Sequence, residues 1–241
     1  MNALAGQIGV VTGASSGVGK AIALSLVAQG VRLGVVGRNP ETLATVMEAA
    51  RVRGTRAHCY RADFTKDEDI NSLASQLRQD FPHIDLLVHS AGVHALGRVA
   101  TASINEFDWQ YQVNVRAPYG LTQAVLPMFR PRRGQIVFIN SSVGLDARAN
   151  VGQYAATKHA LRAVADSLRD EVNPEGLRVL SVFLGRTATP LQEIIHQKEG
   201  KPYYPERLLQ PEDVAAVVIN ALCLPWTAEV TEIKIRPFLK I

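Results

Sequence analysis

Cysteine, long apolar runs and a dominant charge sign are all scarce in this chain, and each scarcity closes a class of function. Two cysteines, Cys59 and Cys223, stand far apart among 241 residues. They share no metal-ligand spacing and each sits in apolar company, so both are expected to be reduced core residues of a cytoplasmic protein, with no metal site. No apolar run approaches the ~20 residues needed to span a bilayer, and the opening MNALAGQIGVV has no positively charged n-region, so neither a membrane partner nor a signal peptide is expected. Net charge is only +4 and the basic residues are scattered. The densest cluster, Arg130-Pro131-Arg132-Arg133, is short and runs straight into a strand-like stretch. It reads as a solvated connection, and no nucleic-acid partner is expected. Internal repeats, low-complexity tracts and linkers rich in Pro, Gly or Ser are missing too, so residues 1–241 are read as a single domain.

What is present is a globular composition, 47% hydrophobic and 20% charged, that can fill a core. Short apolar runs at 8–11, 33–36, 57–60, 86–88, 135–139 and 179–184, with a last one at 232–236, have the length and composition of strands. Between them lie helix-like segments at 17–29, 40–53, 67–81, 104–129 (broken near Pro118 and Pro127), 154–172 and 211–223. Strands alternating with helices of this length predict βαβ units: an α/β fold, one doubly wound Rossmann-type domain with a parallel seven-stranded sheet covered on both faces. Ligands of such a sheet bind beyond the carboxyl ends of its strands, so chemistry is sought there.

The first strand runs into VVTGASSGVGKAIA. Small residues between a strand and a helix let the backbone approach a pyrophosphate, and the helix N-terminus offers free N–H groups. Gly13, Ser15, Ser16, Gly17, Val18 and Gly19 are therefore candidate cofactor-binding residues. A Walker-type loop is excluded, because no Gly-Lys-Ser/Thr follows at the required spacing. At the end of the second strand, VVGRNPE has Gly37 and Arg38 where an NAD-binding fold often has a carboxylate. A guanidinium can grip a 2′-phosphate, which favours NADP(H) over NAD(H); the plainer alternative is a surface arginine. Asp63, next to Phe64 after the third strand, is expected either to accept from the adenine amino group or to cap the following helix.

Residues 153–161 read QYAATKHAL, with Tyr154 and Lys158 one helical turn apart on one face. Alone, that pair suits equally a half-buried tyrosine and a solvated lysine. With TGASSGVG, HSAG at 89–92, Asn114 in NVRAP and INSS before the pair, the order of motifs resembles the short-chain dehydrogenase/reductase family over almost the whole chain. The resemblance implies direct hydride transfer between a nicotinamide and a small carbonyl or alcohol substrate. It casts Tyr154 as general acid/base, Lys158 as its cationic partner and ribose ligand, Ser141 as the donor to the substrate oxygen, and Asn114 as the holder of a relay water. The family's serine run places Ser141 in that role rather than Ser142, since Ser141 keeps two residues between itself and Gly144 and stands thirteen before Tyr154; strand alternation points the two hydroxyls apart, which makes the choice testable. A tyrosine hydroxyl, of pKa about 10, is a poor base at neutral pH. The Lys158 ammonium and the positive ring of oxidised nicotinamide are expected to draw it down.

Several positions depart from the family pattern. His89 and Ser90 replace the two asparagines of Asn-Asn-Ala-Gly, leaving Ser90, Ala91 and Gly92 to meet the cofactor and His89 as a structural histidine. Leu184-Gly185 replaces Pro-Gly, with Gly185, Thr187 and Thr189 expected along the nicotinamide carboxamide. Loops after strands four to six supply the expected substrate pocket: Val93, His94 and Leu96, then Leu145, Ala147, Arg148 and Val151, then Leu184. The segment 190–205, PLQEIIHQKEGKPYYP, is expected to be a lid whose tyrosines and isoleucines suit an apolar or aromatic carbonyl compound, while Arg148 and Arg186 are the residues that would greet an anionic one. Family habit implies a homodimer or homotetramer. The rival readings are a non-catalytic NADP(H)-binding sensor and a nucleotide-sugar epimerase or dehydratase.

Overall fold

The computed structural model describes residues 3–130 and 133–239; Pro131 and Arg132 of the basic cluster lie outside the described residues. Seven strands, β1 (Ile8–Thr12), β2 (Arg32–Gly37), β3 (Ala57–Arg61), β4 (Leu86–His89), β5 (Gln135–Ser141), β6 (Arg178–Leu184) and β7 (Glu232–Ile235), form one sheet in the order β3-β2-β1-β4-β5-β6-β7. Every pairing is parallel. The order reverses between β1 and β4, where Thr12 is in register with His89, and the crevice of a doubly wound sheet opens at such a point.

Helices α1 (Gly17–Ala28), α2 (Ala44–Val52), α3 (Asp67–Asp80), α4 (Ile104–Tyr111), α5 (Ala117–Val125), α6 (Gly152–Val172), α7 (Pro190–Glu199) and α8 (Pro211–Leu222) cover the sheet. One apolar layer joins Leu26, Val46 and Val218 of α1, α2 and α8 to the sheet residues Val11, Val35 and Val182. The opposite layer joins Leu73, Leu121 and Leu161 of α3, α5 and α6 to Val10, Leu87 and Phe138. Central strands are buried along their whole length, as their unbroken apolar sequences require. The edge strands differ. In β3 only Tyr60 is buried, and Cys59 is exposed, so the expectation of a core thiol there is corrected: β3 ends the sheet and has a neighbouring strand on one side only. Cys223, at the end of α8, is half-buried.

The segment 104–129 is not broken at Pro118. α4 passes through a π-turn, Gln112–Arg116, directly into α5. Pro118 cannot donate to the carbonyl of Asn114 four residues back, and the wider turn before it absorbs the missing bond. A 3-10 turn at Leu126–Met128, containing Pro127, ends the run. The lid segment holds a helix, α7, that the strand-and-helix reading did not include. Its signals are local: the Thr189 hydroxyl accepts from the Gln192 N–H, Pro190 stands in the first turn, and Gly200 closes the helix at φ 65°. Among the described residues no helix is long and apolar enough to cross a membrane.

Candidate active site

A cleft of about 940 Å³ runs along the carboxyl ends of the strands, near the upper limit for small-molecule sites. Gly13, Ser15, Ser16, Gly17, Val18 and Gly19 line one end of it. Gly13 has φ 68°, and a Cβ there would lie 2.7 Å from the Ala91 nitrogen; Gly17 has φ 51°, and its Cβ would lie 2.8 Å from Thr189 Cγ2. Only glycine fits either place, so the backbone at the head of α1 is open to a ligand and tied to both neighbouring loops. That cradle fits a dinucleotide pyrophosphate. Thr12, the first residue of the loop motif and absent from the sequence-derived candidates, fastens the crevice. Its Oγ1 accepts from the Ser90 and Ala91 N–H groups at 3.1 and 3.3 Å, holding the end of β1 to the segment after β4.

At the adenosine end the cleft is lined by Gly37, Arg38, Ala62, Asp63, Phe64 and Thr65. Asp63 Oδ1 accepts from the Thr65 N–H at 3.0 Å and its hydroxyl at 2.9 Å. These bonds, the Thr65 N–H first, hold the Asp63 carboxyl below its ordinary pKa against burial, with Lys66 and Arg38 adding to the pull. Asp63 thus closes the turn before α3 and also faces the cleft; the N-cap of α3 is Lys66.

The chemical end is built on β4, β5 and α6. Tyr154 and Lys158 both line the cleft, together with Ser141, Ser142 and Val143. The Ser141 side chain lies close enough to the Tyr154 phenol to pull its pKa down, and its Oγ accepts from the Val143 N–H at 3.4 Å. Ser141 ends β5 and Ser142 begins a 3-10 turn, so the strict alternation that would have turned Ser142 away stops at that point. Asn140 locks the corner: its Oδ1 accepts from the Ser141 N–H at 2.7 Å and its Nδ2 donates to the Lys158 carbonyl at 3.0 Å, linking β5 to the turn of α6 that carries Lys158.

Lys158 is only 4% exposed. Its Nζ donates to the Ile139 carbonyl at 3.3 Å and lies 5.8 Å from the centre of the Tyr154 ring. Burial pushes the ammonium down to about 8. Burial also pushes the half-buried Tyr154 phenol up to about 12, against the smaller lowering by the Ser141 hydroxyl. The net shift in the protein itself is thus upward, whereas the expected downward draw counts the positive ring of bound oxidised nicotinamide as well. A low-polarity surrounding disfavours phenolate more than an ammonium at this separation favours it.

Asn114 is 1% exposed and lies behind the cleft lining. Its Oδ1 accepts from the Val93 N–H and its Nδ2 donates to the Val93 carbonyl, both at 2.9 Å, and Nδ2 also reaches Thr157 Oγ1 at 3.1 Å. One turn earlier Gln110, which no sequence motif flagged, accepts from the Ala95 N–H at 3.0 Å. His89 is buried, its Nε2 2.8 Å from Thr122 Oγ1 and its ring stacked on Phe138. Burial pushes it down to about 3, which suits a neutral structural histidine.

Ser90, Ala91, Gly92, Val93, His94, Leu96, Arg148, Val151, Leu184, Gly185, Thr187 and Thr189 all line the cleft. Leu145 and Ala147 do not: the 3-10 turn at Ser142–Gly144 presents Val143 in their place. The lid also differs in detail. Leu191, Gln192, Ile195, Lys198 and Glu199 of α7 face the cleft, whereas Ile194 and Tyr204 are exposed and Tyr203 packs edge-on against His196. Arg186 is not free to meet an anion. Its Nη2 donates to both Glu199 oxygens at 2.9 and 2.8 Å, and its Nη1 donates to His196 Nε2 at 3.2 Å, fastening the C-terminal end of α7 to the end of β6. Burial alone would raise the Glu199 carboxyl, but the hydrogen bonds from Arg186 and Lys201 outweigh it and hold it low. Among the described residues no group of three or more His, Cys, Asp or Glu side chains is placed to hold a metal ion.

Residues 7–200 match the family described as short chain dehydrogenase. An uncharacterized oxidoreductase of Staphylococcus epidermidis is 32% identical over 232 residues, covering 96% of this chain and 97% of that protein. The alcohol dehydrogenase of the archaeon Thermococcus sibiricus, solved with 5-hydroxy-NADP, superposes with a TM-score of 0.87 at 26% identity, covering 98% of each chain. A short chain dehydrogenase from Burkholderia cenocepacia, solved with NADP, gives 0.85 at 26% identity, covering 97% of this chain and 98% of that one. With the glycine cradle, the Ser141–Tyr154–Lys158 corner and matches along nearly its whole length, this chain belongs to the short-chain dehydrogenase family of oxidoreductases.

Proposed function

We propose that the protein is an NADP(H)-preferring carbonyl reductase, or in reverse an alcohol dehydrogenase, acting on a small ketone or aldehyde. The observation that carries this reading is the meeting of Ser141, Tyr154 and the buried Lys158 at the end of a cleft that begins in the Gly13–Gly19 cradle. Solved relatives that hold NADP support the choice of cofactor, as does Arg38 at the end of β2 with no carboxylate beside Gly37. Gly13 to Gly19 would hold the pyrophosphate, Arg38 the 2′-phosphate, and Gly185, Thr187 and Thr189 the nicotinamide carboxamide. The bound cofactor supplies the hydride that reduces the carbonyl carbon.

The protein's own residues manage the oxygen. A phenol at about 12 stays protonated at neutral pH, so Tyr154 is loaded to give its proton to the carbonyl oxygen. Ser141 donates to the same oxygen and steadies its developing charge. As the phenolate forms, the ammonium of the buried Lys158 stabilises it through a low-polarity interior, where the attraction is stronger than in water. In the oxidative direction the same groups take the alcohol proton. Asn114 holds the Val93 segment against the cleft and, as the family pattern implies, a water that reconnects Lys158 with solvent. The active unit is a homodimer or homotetramer; a monomeric elution volume on a calibrated sizing column would remove that part of the reading.

The test is NADPH oxidation against a panel of ketones, aldehydes, quinones and keto-esters, with Tyr154→Phe, Ser141→Ala and Ser142→Ala alongside the wild type. Turnover should fall about 10²–10⁴-fold in Tyr154→Phe with NADPH binding intact. Ser141→Ala should lose more than Ser142→Ala. A Tyr154→Phe enzyme as fast as wild type refutes the mechanism. Binding of NADPH with no turnover on any carbonyl would favour the sensor reading.

A further inference from the structure

His94 lies on the substrate side of the site, and the fold spends unusual effort on holding it there. Residues on either side of it are gripped by buried amides. Val93 is bonded through both its N–H and its carbonyl to Asn114, and the Ala95 N–H donates to Gln110 Oε1. Asn114 and Gln110 are 1% and 0% exposed. Two fully buried side chains, one turn apart on the α4–π-turn segment, thus fix the backbone before and after a single residue. The ring they present packs on Tyr154, with ring centres 4.4 Å apart and planes inclined by 60°.

The polar edge of that ring is left unused by the protein. His94 Nδ1 is enclosed and has no hydrogen-bond partner. An enclosed ring nitrogen without a partner costs stability, and a histidine that served packing alone would be better as phenylalanine at this place. The other ring nitrogen, Nε2, has no partner among the described residues either and is not enclosed, so it is the atom that can meet a ligand in the cleft. Burial pushes the imidazole down to about 4, with Lys198, Arg186 and Lys158 lowering it further against the pull of Glu199. It is therefore neutral at working pH and offers one donor and one acceptor.

We infer that His94 is a specificity-determining residue: it hydrogen-bonds a second polar group of the substrate, close to the carbonyl that reacts at Tyr154. The substrate class is accordingly an oxygenated carbonyl compound, such as a dicarbonyl, hydroxy-ketone or keto-ester, in preference to a simple ketone. This inference rests on the proposed reductase reading for the identity of the reacting group. It places the second oxygen within a few bonds of the first, because the two rings are in contact.

The experiment compares butanedione with butanone, which are alike in size and differ in the second oxygen. Affinity for each is measured by calorimetry with the NADP⁺-saturated protein, and kcat/KM for each with NADPH, in wild type, His94→Phe and His94→Gln. Wild type should prefer butanedione, and His94→Phe, which keeps the ring against Tyr154, should shrink that preference by about three- to tenfold, the worth of one hydrogen bond. His94→Gln should restore part of it. An equal preference in wild type and His94→Phe overturns the inference, as does a wild type with no preference or with no binding of either probe. Preferential binding without NADPH oxidation would instead sink the reductase reading and leave the role of His94 standing.

Discussion

Replacing Lys158 by methionine should make the protein more stable while destroying its activity. At neutral pH the ammonium is charged in both folded and unfolded chains, and its pKa falls from 10.5 to about 8 on folding. That difference of about 2.5 units corresponds to roughly 3 kcal/mol of penalty carried by the native state. Against this, the variant loses the 3.3 Å hydrogen bond to the Ile139 carbonyl, worth about 1 kcal/mol. Methionine is unbranched and of similar length, so it should refill the space without strain. The net gain is about 2 kcal/mol, or roughly 4–8 °C in Tm for a chain of this size.

The pH dependence supplies the decisive check. Below about pH 8 both states of the wild type hold the proton and the penalty is present in full. Between about 8 and 10.5 the native state has released the proton while the unfolded state keeps it, so wild-type stability rises with pH relative to the variant. Thermal or urea unfolding of both proteins at neutral and at alkaline pH should therefore show a gap that closes on the alkaline side. Contributions from Tyr154 are common to both proteins and cancel in the difference. A variant less stable than wild type at neutral pH, or a gap that does not change with pH, would refute the account of Lys158 as a desolvated charge retained for chemistry.

Two further outcomes are expected. Arg38→Ser should weaken NADPH relative to NADH by about 10–100-fold in kcat/KM, the loss expected for one charge-assisted contact, and an unchanged cofactor ratio would return Arg38 to the status of a surface residue. Glu199→Gln should loosen the Arg186 fastening of α7, giving faster amide hydrogen exchange in residues 190–200 and a raised KM; exchange identical to wild type would show that Thr189 and Gly200 alone hold the lid.

Much of this arrangement was legible in the sequence because it rests on local chemistry. Unbroken apolar strands announced a sheet covered on both faces, and the four-residue spacing of Tyr154 and Lys158 put both on one face of α6. The lid helix was equally open to reading, since Thr189, Pro190 and Gly200 are ordinary capping signals. What escaped depends on distant partners. Gln110 and Thr12 act through backbone groups of a loop that neither adjoins in sequence. Arg186 reads as a free cation until Glu199, thirteen residues on, is folded back against it. The upward push of burial on Tyr154 escaped for the same reason: spacing reveals which charges are neighbours, but not how little water surrounds them. Cys59 was misjudged because the rank of β3 at the sheet edge is a property of strand order.

The π-turn at Gln112–Arg116 has a consequence for how such a protein can change over generations. A π-turn is an α-helix with one residue too many, and each residue turns the helix by about 100°. The wide turn absorbs that residue locally, so α5 keeps the buried Leu121 and Val125 toward the sheet and Tyr119 toward solvent, and only the residues within the turn are displaced by it. Deleting Gln112 or Val113 would move Asn114 out of step with Gln110, and with it the grip on the backbone at Val93 and Ala95. Descendants of this chain are free to exchange residues along the segment but not to shorten it. The extra residue is a commitment in chain length that the site is built around.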